Sequence, residues 1–219
     1  MRITVTDYLD VVSSWCFWSE PTWAELKRRY EGRVQFQWKV ALMDAKGLPT
    51  SREQEQWFYR RSGVMMRSPF MLNTDWYDPS LPEWLPPNSI AEAAKDFDIA
   101  DDRVRLALAH ATLREGKKVS EWEVSAEVGA NAGKIDKKKL LERAKSPEIE
   151  KRIRTSTAEF HALQVTQRPT FLIDTEIGDR AIFSGVVKLE PVAATLDAML
   201  EDTVAYAAHK AHFGSPPEK

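Results

Sequence analysis

The sequence predicts an α/β fold in which a βαβ unit and a ββα unit are separated by a large, all-helical insertion. Three observations lead there. Two runs near the N-terminus, Arg2–Val12 and Arg33–Leu42, read as strands and enclose a helical stretch. Strand character then vanishes until Thr170. It returns in two short runs, Thr170–Ile173 and Ala181–Gly185, ahead of a closing helix.

In chain order, the first run alternates and then turns apolar, as suits a strand with at least one buried face. After Ser13, the residues Trp23, Leu26, Lys27 and Tyr30 share a helical face. Val34, Phe36, Trp38 and Val40 then fall on one side of the second strand. A right-handed crossover makes that strand a parallel neighbour of the first. Ser51–Arg61 reads as a polar helix carrying Trp57, Phe58 and Arg61, and Ser68–Pro87 as an ordered loop rich in proline and aromatics. Asn88 or Ser89 can cap a helix running through Phe97; Asp101 or Asp102 can cap another, which ends at Gly116. Further helices are expected at Ser120–Val128, Asp136–Ala144 and Pro147–Leu163. Asp174–Asp179 supplies a hairpin turn. Pro191–Tyr206 closes the fold, with proline in the first turn, where its missing N–H costs least. The expected division is a discontinuous domain of residues 1–45 and 161–208, a helical insertion of 46–160, and a flexible tail of 209–219 that includes Gly214–Pro217.

Composition narrows the function. A net charge of −2 gives no electrostatic case for nucleic acid or an anionic membrane as partner. No apolar run reaches the ~18 residues of a bilayer span. The N-terminal run is a polar-interrupted strand rather than a secretory leader, so a cytoplasmic, reducing location is expected. The single cysteine excludes a disulfide framework. The four histidines are dispersed without partners at ligand spacing, so no metal site is expected, and no glycine-rich phosphate loop is present. Eight tryptophans serve either core packing or an aromatic-lined pocket.

The chemistry concentrates at Ser13-Ser14-Trp15-Cys16, where the first strand gives way to the first helix. A helix N-terminus presents unpaired N–H groups and the positive end of a dipole, which together stabilise a thiolate. Ser13 has no neighbouring base to make it a nucleophile. Two roles are open to it: donating a hydrogen bond to the thiolate of a ligand, or simply capping the helix. Cys16, one turn in, is either a small buried hydrophobe or a monothiol that exchanges with small thiols.

Val11–Trp18 resembles the strand-end motif of DsbA-family proteins of the FrnE-like branch, which carry Cys-Pro-Trp-Cys-Tyr there. Pro21 stands where thioredoxin-like active-site helices often carry a proline. Arg168-Pro169-Thr170-Phe171 resembles the family's X-Pro-Thr-Phe strand, whose proline is cis, and Gly185 and Leu189-Glu190-Pro191 fit its closing strand and helix. Pro87-Asn88-Ser89 resembles the tripeptide that opens a helix of the inserted domain. The resemblance covers nearly the whole chain and implies a thioredoxin-like fold. It puts Ser13 and Cys16 at the catalytic positions and Ser14, Trp15, Arg168, Pro169, Thr170 and Asn88 around the substrate. In the family, the backbone before the proline pairs with a thiol peptide as a short added strand. The Arg168 side chain would attract a carboxylate or be solvated; Asn88 would cap its helix or reach the cleft.

With serine at the first motif position, one sulfur cannot run an intramolecular dithiol cycle. Serine there is similar to kappa-class glutathione transferases and 2-hydroxychromene-2-carboxylate isomerases, in which the hydroxyl holds the thiolate of glutathione. In such relatives the last helix receives the γ-glutamyl end, and this chain lacks a clear Ser-Asp pair at that point. The resemblance therefore implies a thiol-dependent oxidoreductase-family protein with a degenerate S-x-x-C motif, acting on a small thiol such as glutathione. The alternatives are a glutathione-dependent isomerase or transferase and a non-catalytic peptide- or thiol-binding protein. A homodimer is a further expectation, because the relatives often dimerise.

Overall fold

A computed structural model describes residues 2–44 and 46–215. Strand β1 (Ile3–Leu9), helix α1 (Ser14–Arg29) and strand β2 (Val34–Val40) form the first unit. Helices α2 (Arg52–Met65), α3 (Leu85–Ala94), α4 (Arg103–Leu113), α5 (Trp122–Gly133), α6 (Lys137–Ala144) and α7 (Pro147–Ala162) follow. The chain closes with β3 (Thr170–Thr175), β4 (Arg180–Ser184) and α8 (Leu189–Phe213). The sheet order is β2-β1-β3-β4. β1 and β2 run parallel, Ile3 opposite Val34 and Leu9 opposite Val40. β3 is antiparallel to both β1 and β4. This is the expected βαβ…ββα arrangement with its helical insertion.

Both faces of the sheet are covered, which is why β1 reads as a nearly continuous buried run. On one face Ile3 and Val5 pack with Trp23 and Leu26 of α1, with Tyr30 just after it, and with Val192 and Leu196 of α8. On the other, Tyr8 and Leu172 meet Phe160 of α7. The insertion does not keep a core to itself. One cluster runs from Leu9, Val11 and Val12 through Cys16, Trp18, Trp38 and Val40 into α3, α4, α5 and α7. The first turn of α1 is thus cemented into the helical layer.

Several boundaries differ from the sequence reading. Helix α3 starts at Leu85, so Pro86 and Pro87 lie in its first turn and Asn88 is inside the helix rather than capping it. Asp102 stands at the start of α4 without a side-chain cap bond. Its carboxylate instead accepts from Trp23 Nε1 at 3.2 Å and Arg105 Nε at 2.9 Å, and pairs with Lys27. Arg105, 2% exposed, also pairs with Glu20 of α1, which ties the insertion to the back of that helix. Helix α8 continues past Tyr206 to Phe213, so residues 209–213 are helical rather than tail. The expected disorder at Pro216 and Pro217 falls outside the described residues. Caps at Ser51, Asp136 and Ser146 accept bonds from the amides three residues on.

Candidate functional site

The site is built on the turn from β1 into α1. Asp10, fully buried, organises that turn with its carboxylate. Oδ1 accepts from Val12 N–H and from the Asn88 amide, both at 3.0 Å, and Oδ2 from Met43 N–H at 2.8 Å. The Asp10 carbonyl accepts from Ser13 N–H at 3.0 Å. Asn88 answers by accepting from Val11 N–H at 3.1 Å and donating to the Trp84 carbonyl at 2.9 Å. Burial still pushes the Asp10 carboxyl up, and these hydrogen bonds hold it back. Asn88 is 0% exposed and committed on every side. It lies beneath the loop and holds the turn before α1 in place.

That scaffold sets Ser13 as the N-cap of α1, its Oγ accepting from Cys16 N–H at 3.4 Å. The serine does cap, and its O–H remains available to donate. The Ser14 and Trp15 amides have no carbonyl to pair with inside the helix, so they present the positive end of α1. Cys16 is a different matter. It is 4% exposed and packed in the insertion core. Burial, reinforced by the carboxylate of Asp7, pushes its thiol well up; the Ser13 hydroxyl offsets this only in part. Burial at this position favours the neutral thiol over the thiolate.

Asp7 lies mid-strand in β1, 1% exposed, with Oδ1 buried and without a hydrogen-bond partner. Desolvation drives its carboxyl well up; Arg105 works against the shift and Glu20 and Asp102 add to it. Asp7 is the one carboxylate of β1, a strand otherwise fit for burial on both faces.

The Arg168–Pro169 peptide bond is cis. Pro169 and Thr170 are buried, the Pro169 carbonyl accepting from Gly185 N–H at 2.8 Å and the Thr170 hydroxyl donating to the Gln167 carbonyl at 2.7 Å. The Arg168 side chain is half-buried rather than solvated, and the main chain engages it. It donates to the carbonyls of Ala41 and of Leu42, the latter at 2.8 Å, and its guanidinium lies 4.4 Å from the Phe160 ring centre. Two main-chain acceptors at the end of β2 match the fork of a guanidinium, so the residue clamps β2 to the proline loop.

Beside the α1 N-terminus lies a cleft of about 180 Å³. Ser13, Ser14 and Trp15 line it, with Gln167 from the proline loop. Cys16, Arg168, Pro169, Thr170 and Asn88 do not. Its remaining wall comes from Val12, Met43, Gly47, Leu48, Pro49, Phe58, Arg61 and Trp76, and from a residue with no sequence signal, Glu55. Glu55 belongs to a helix that reads as polar apart from Trp57 and Phe58, yet it is 7% exposed. Among the tryptophans, Trp23 and Trp84 are core, Trp15 belongs to the cleft, and Trp76 is both. Among the described residues no group of three or more His, Cys, Asp or Glu is placed to hold a metal ion, and no helix is long and apolar enough to cross a membrane.

Comparison with known proteins follows this geometry. No protein of curated function matches the sequence. Solved structures do match the fold. The cytosolic disulfide reductase DsbM from Pseudomonas aeruginosa superposes with a TM-score of 0.72 at 18% identity, over 90% of this chain and 98% of that one. The same protein has been solved with GSH, with a TM-score of 0.70 at 17% identity, over 90% of this chain and 99% of that one. DsbA from Pseudomonas aeruginosa matches with a TM-score of 0.60 at 18% identity, over 94% and 86%. At these identities the likeness is one of fold. A family model, the DSBA-like thioredoxin domain, matches residues 4–197. The chain belongs to the DSBA-like thioredoxin domain family.

Proposed function

We propose that this protein holds the thiolate of a small thiol compound, with glutathione the first candidate, at the N-terminus of α1, and does not cycle a disulfide of its own. The observation that carries the reading is the pairing of Ser13 as a hydroxyl N-cap with the chain's only thiol buried one turn later. An incoming sulfur beside Ser13 would meet a hydroxyl donor, the unpaired Ser14 and Trp15 amides and the positive end of a helix. These are the interactions that lower a thiol pKa. Family membership supports thiol chemistry, and the similarity to DsbM, solved with GSH, supports the choice of candidate. A cytoplasmic location, rich in small thiols, is the setting we propose.

The burial of Cys16 favours a second substrate over exchange at that sulfur. It therefore brings a glutathione-dependent isomerase or transferase into the same reading, with the electrophile entering the cleft. Calorimetric titration of reduced glutathione into wild type, Ser13→Ala and Cys16→Ala tests it. Saturable binding weakened by Ser13→Ala and unaffected by Cys16→Ala is expected. Absence of binding to the wild type would exclude glutathione. Binding lost only in Cys16→Ala would move the chemistry to the cysteine.

A further inference from the structure

We infer that the cleft beside Ser13 selects thiols that carry an ammonium group, and that Glu55 is the residue that receives it. The inference deepens the thiol-holding reading, on which it rests for the placement of sulfur.

Among the described residues Glu55 is the one carboxylate that lines this cleft, among walls formed chiefly by Trp15, Leu48, Phe58 and Trp76. A carboxylate in apolar surroundings normally brings a counter-ion with it, because an unpaired buried charge is costly. Glu55 has none. The polar group beside it is the Tyr59 hydroxyl, which accepts from Trp76 Nε1 at 3.2 Å. Arg61 also lines the cleft, but it is exposed and its guanidinium lies 5.1 Å from the Trp57 ring centre and 5.0 Å from that of Phe58. The other titratable groups acting with Glu55 are the hydroxyls of Tyr59 and Tyr77, which burial pushes up first and its charge pushes further. Burial accordingly raises the Glu55 carboxyl to about 7, held back only by Tyr59.

An uncompensated carboxylate among aromatic faces is what an organic cation requires. The carboxylate supplies charge, and the rings supply the negative faces of their quadrupoles. The opening of about 180 Å³ has room for roughly six waters at ~30 Å³ each, enough for an aminothiol of a few heavy atoms or the amine end of a larger one. With sulfur at Ser13 and nitrogen at Glu55, the cleft reads both ends of such a molecule. Entry of the cation draws the Glu55 proton off, so binding strengthens as pH rises from 6 to 8.

The test follows the indole N–H signals by NMR while titrating four probes: cysteamine, its S-methyl ether, 2-mercaptoethanol and 3-mercaptopropionate. Wild type should bind cysteamine about tenfold more tightly than 2-mercaptoethanol, and 3-mercaptopropionate most weakly. The isosteric Glu55→Gln should erase that preference. Ser13→Ala should weaken the thiols but leave the S-methyl ether unchanged, because that probe has no thiol to hold. Equal affinity for cysteamine and 2-mercaptoethanol, or a preference that survives Glu55→Gln, would overturn the inference. Binding of the S-methyl ether that depends on Glu55, without any response of thiols to Ser13→Ala, would sustain the ammonium site and sink the thiol-holding reading instead.

Discussion

The Asp10 carboxylate and the Asn88 carboxamide bond directly at 3.0 Å, joining the turn before α1 to a helix of the insertion. Between them they satisfy the amides of Val11, Val12 and Met43. Asn88→Ala therefore strips three hydrogen bonds at once and leaves the Val11 N–H buried without a partner. Such a loss costs about 2–4 kcal/mol, the orphaned donor contributing more than the missing attraction. Urea denaturation should show the loss, and glutathione affinity should fall too, because the Ser13 cap hangs on that turn. A variant of wild-type stability would show that the pair is dispensable.

Arg168 makes a second prediction, about anchorage. Its guanidinium spans the carbonyls of Ala41 and Leu42 and stacks on Phe160. Lysine supplies charge without the planar fork, so Arg168→Lys should lose roughly 1–2 kcal/mol, and Arg168→Ala more. Thermal melts compare the two. If lysine were fully equivalent, the fork geometry would be irrelevant and only the positive charge near Asp10 would matter.

Asp7 should behave in the opposite sense. Its folded carboxyl titrates well above the ordinary value, so folding is penalised once the pH exceeds the unfolded value of ~3.9, and the penalty grows until the folded group ionises. Asp7→Asn removes the charge while keeping the shape. Stabilisation of about 1–3 kcal/mol at pH 7, shrinking to nothing near pH 4, is expected from denaturation at the two pH values. A variant less stable than wild type at pH 7 would mean that the attraction of Arg105 outweighs desolvation.

The elements that were legible in the sequence are those whose signals are local. β1 and β2 alternate over enough residues to show their faces, and the Asp174–Asp179 turn separates two short strands without ambiguity. Ser146-Pro147 announces α7 by cap and first-turn proline together. The misread start of α3 has the same chemistry turned around. Pro86 and Pro87 look like loop, and Asn88 looks like a cap, until burial against Asp10 gives its amide another use. Asp102 likewise has a cap's identity, but Trp23, Lys27 and Arg105 compete for its oxygens and win. Of the site, the Ser13–Cys16 motif could be read from the chain, and the cis proline only through the family resemblance of Arg168–Phe171. Glu55 could not, since its burial arises from its packing in the fold and not from any periodicity of α2.

The fate of Cys16 provides the last prediction. Its thiol is buried in the insertion core and pushed upward by desolvation and by Asp7. Reaction with a disulfide or maleimide reagent needs thiolate and access, and the folded protein withholds both. Modification of the native protein should therefore run at least about tenfold slower than in denaturant. Its rate should stay low between pH 7 and 9, where an exposed cysteine with a pKa near ~8.5 would accelerate steeply. Cys16→Ala should cost only about 1 kcal/mol, the burial of one small side chain. Fast native labelling would return Cys16 to the chemistry as an exchanging monothiol, with Ser13 reduced to its cap. Slow labelling together with Ser13-dependent ligand binding would leave the reactive sulfur to the ligand alone.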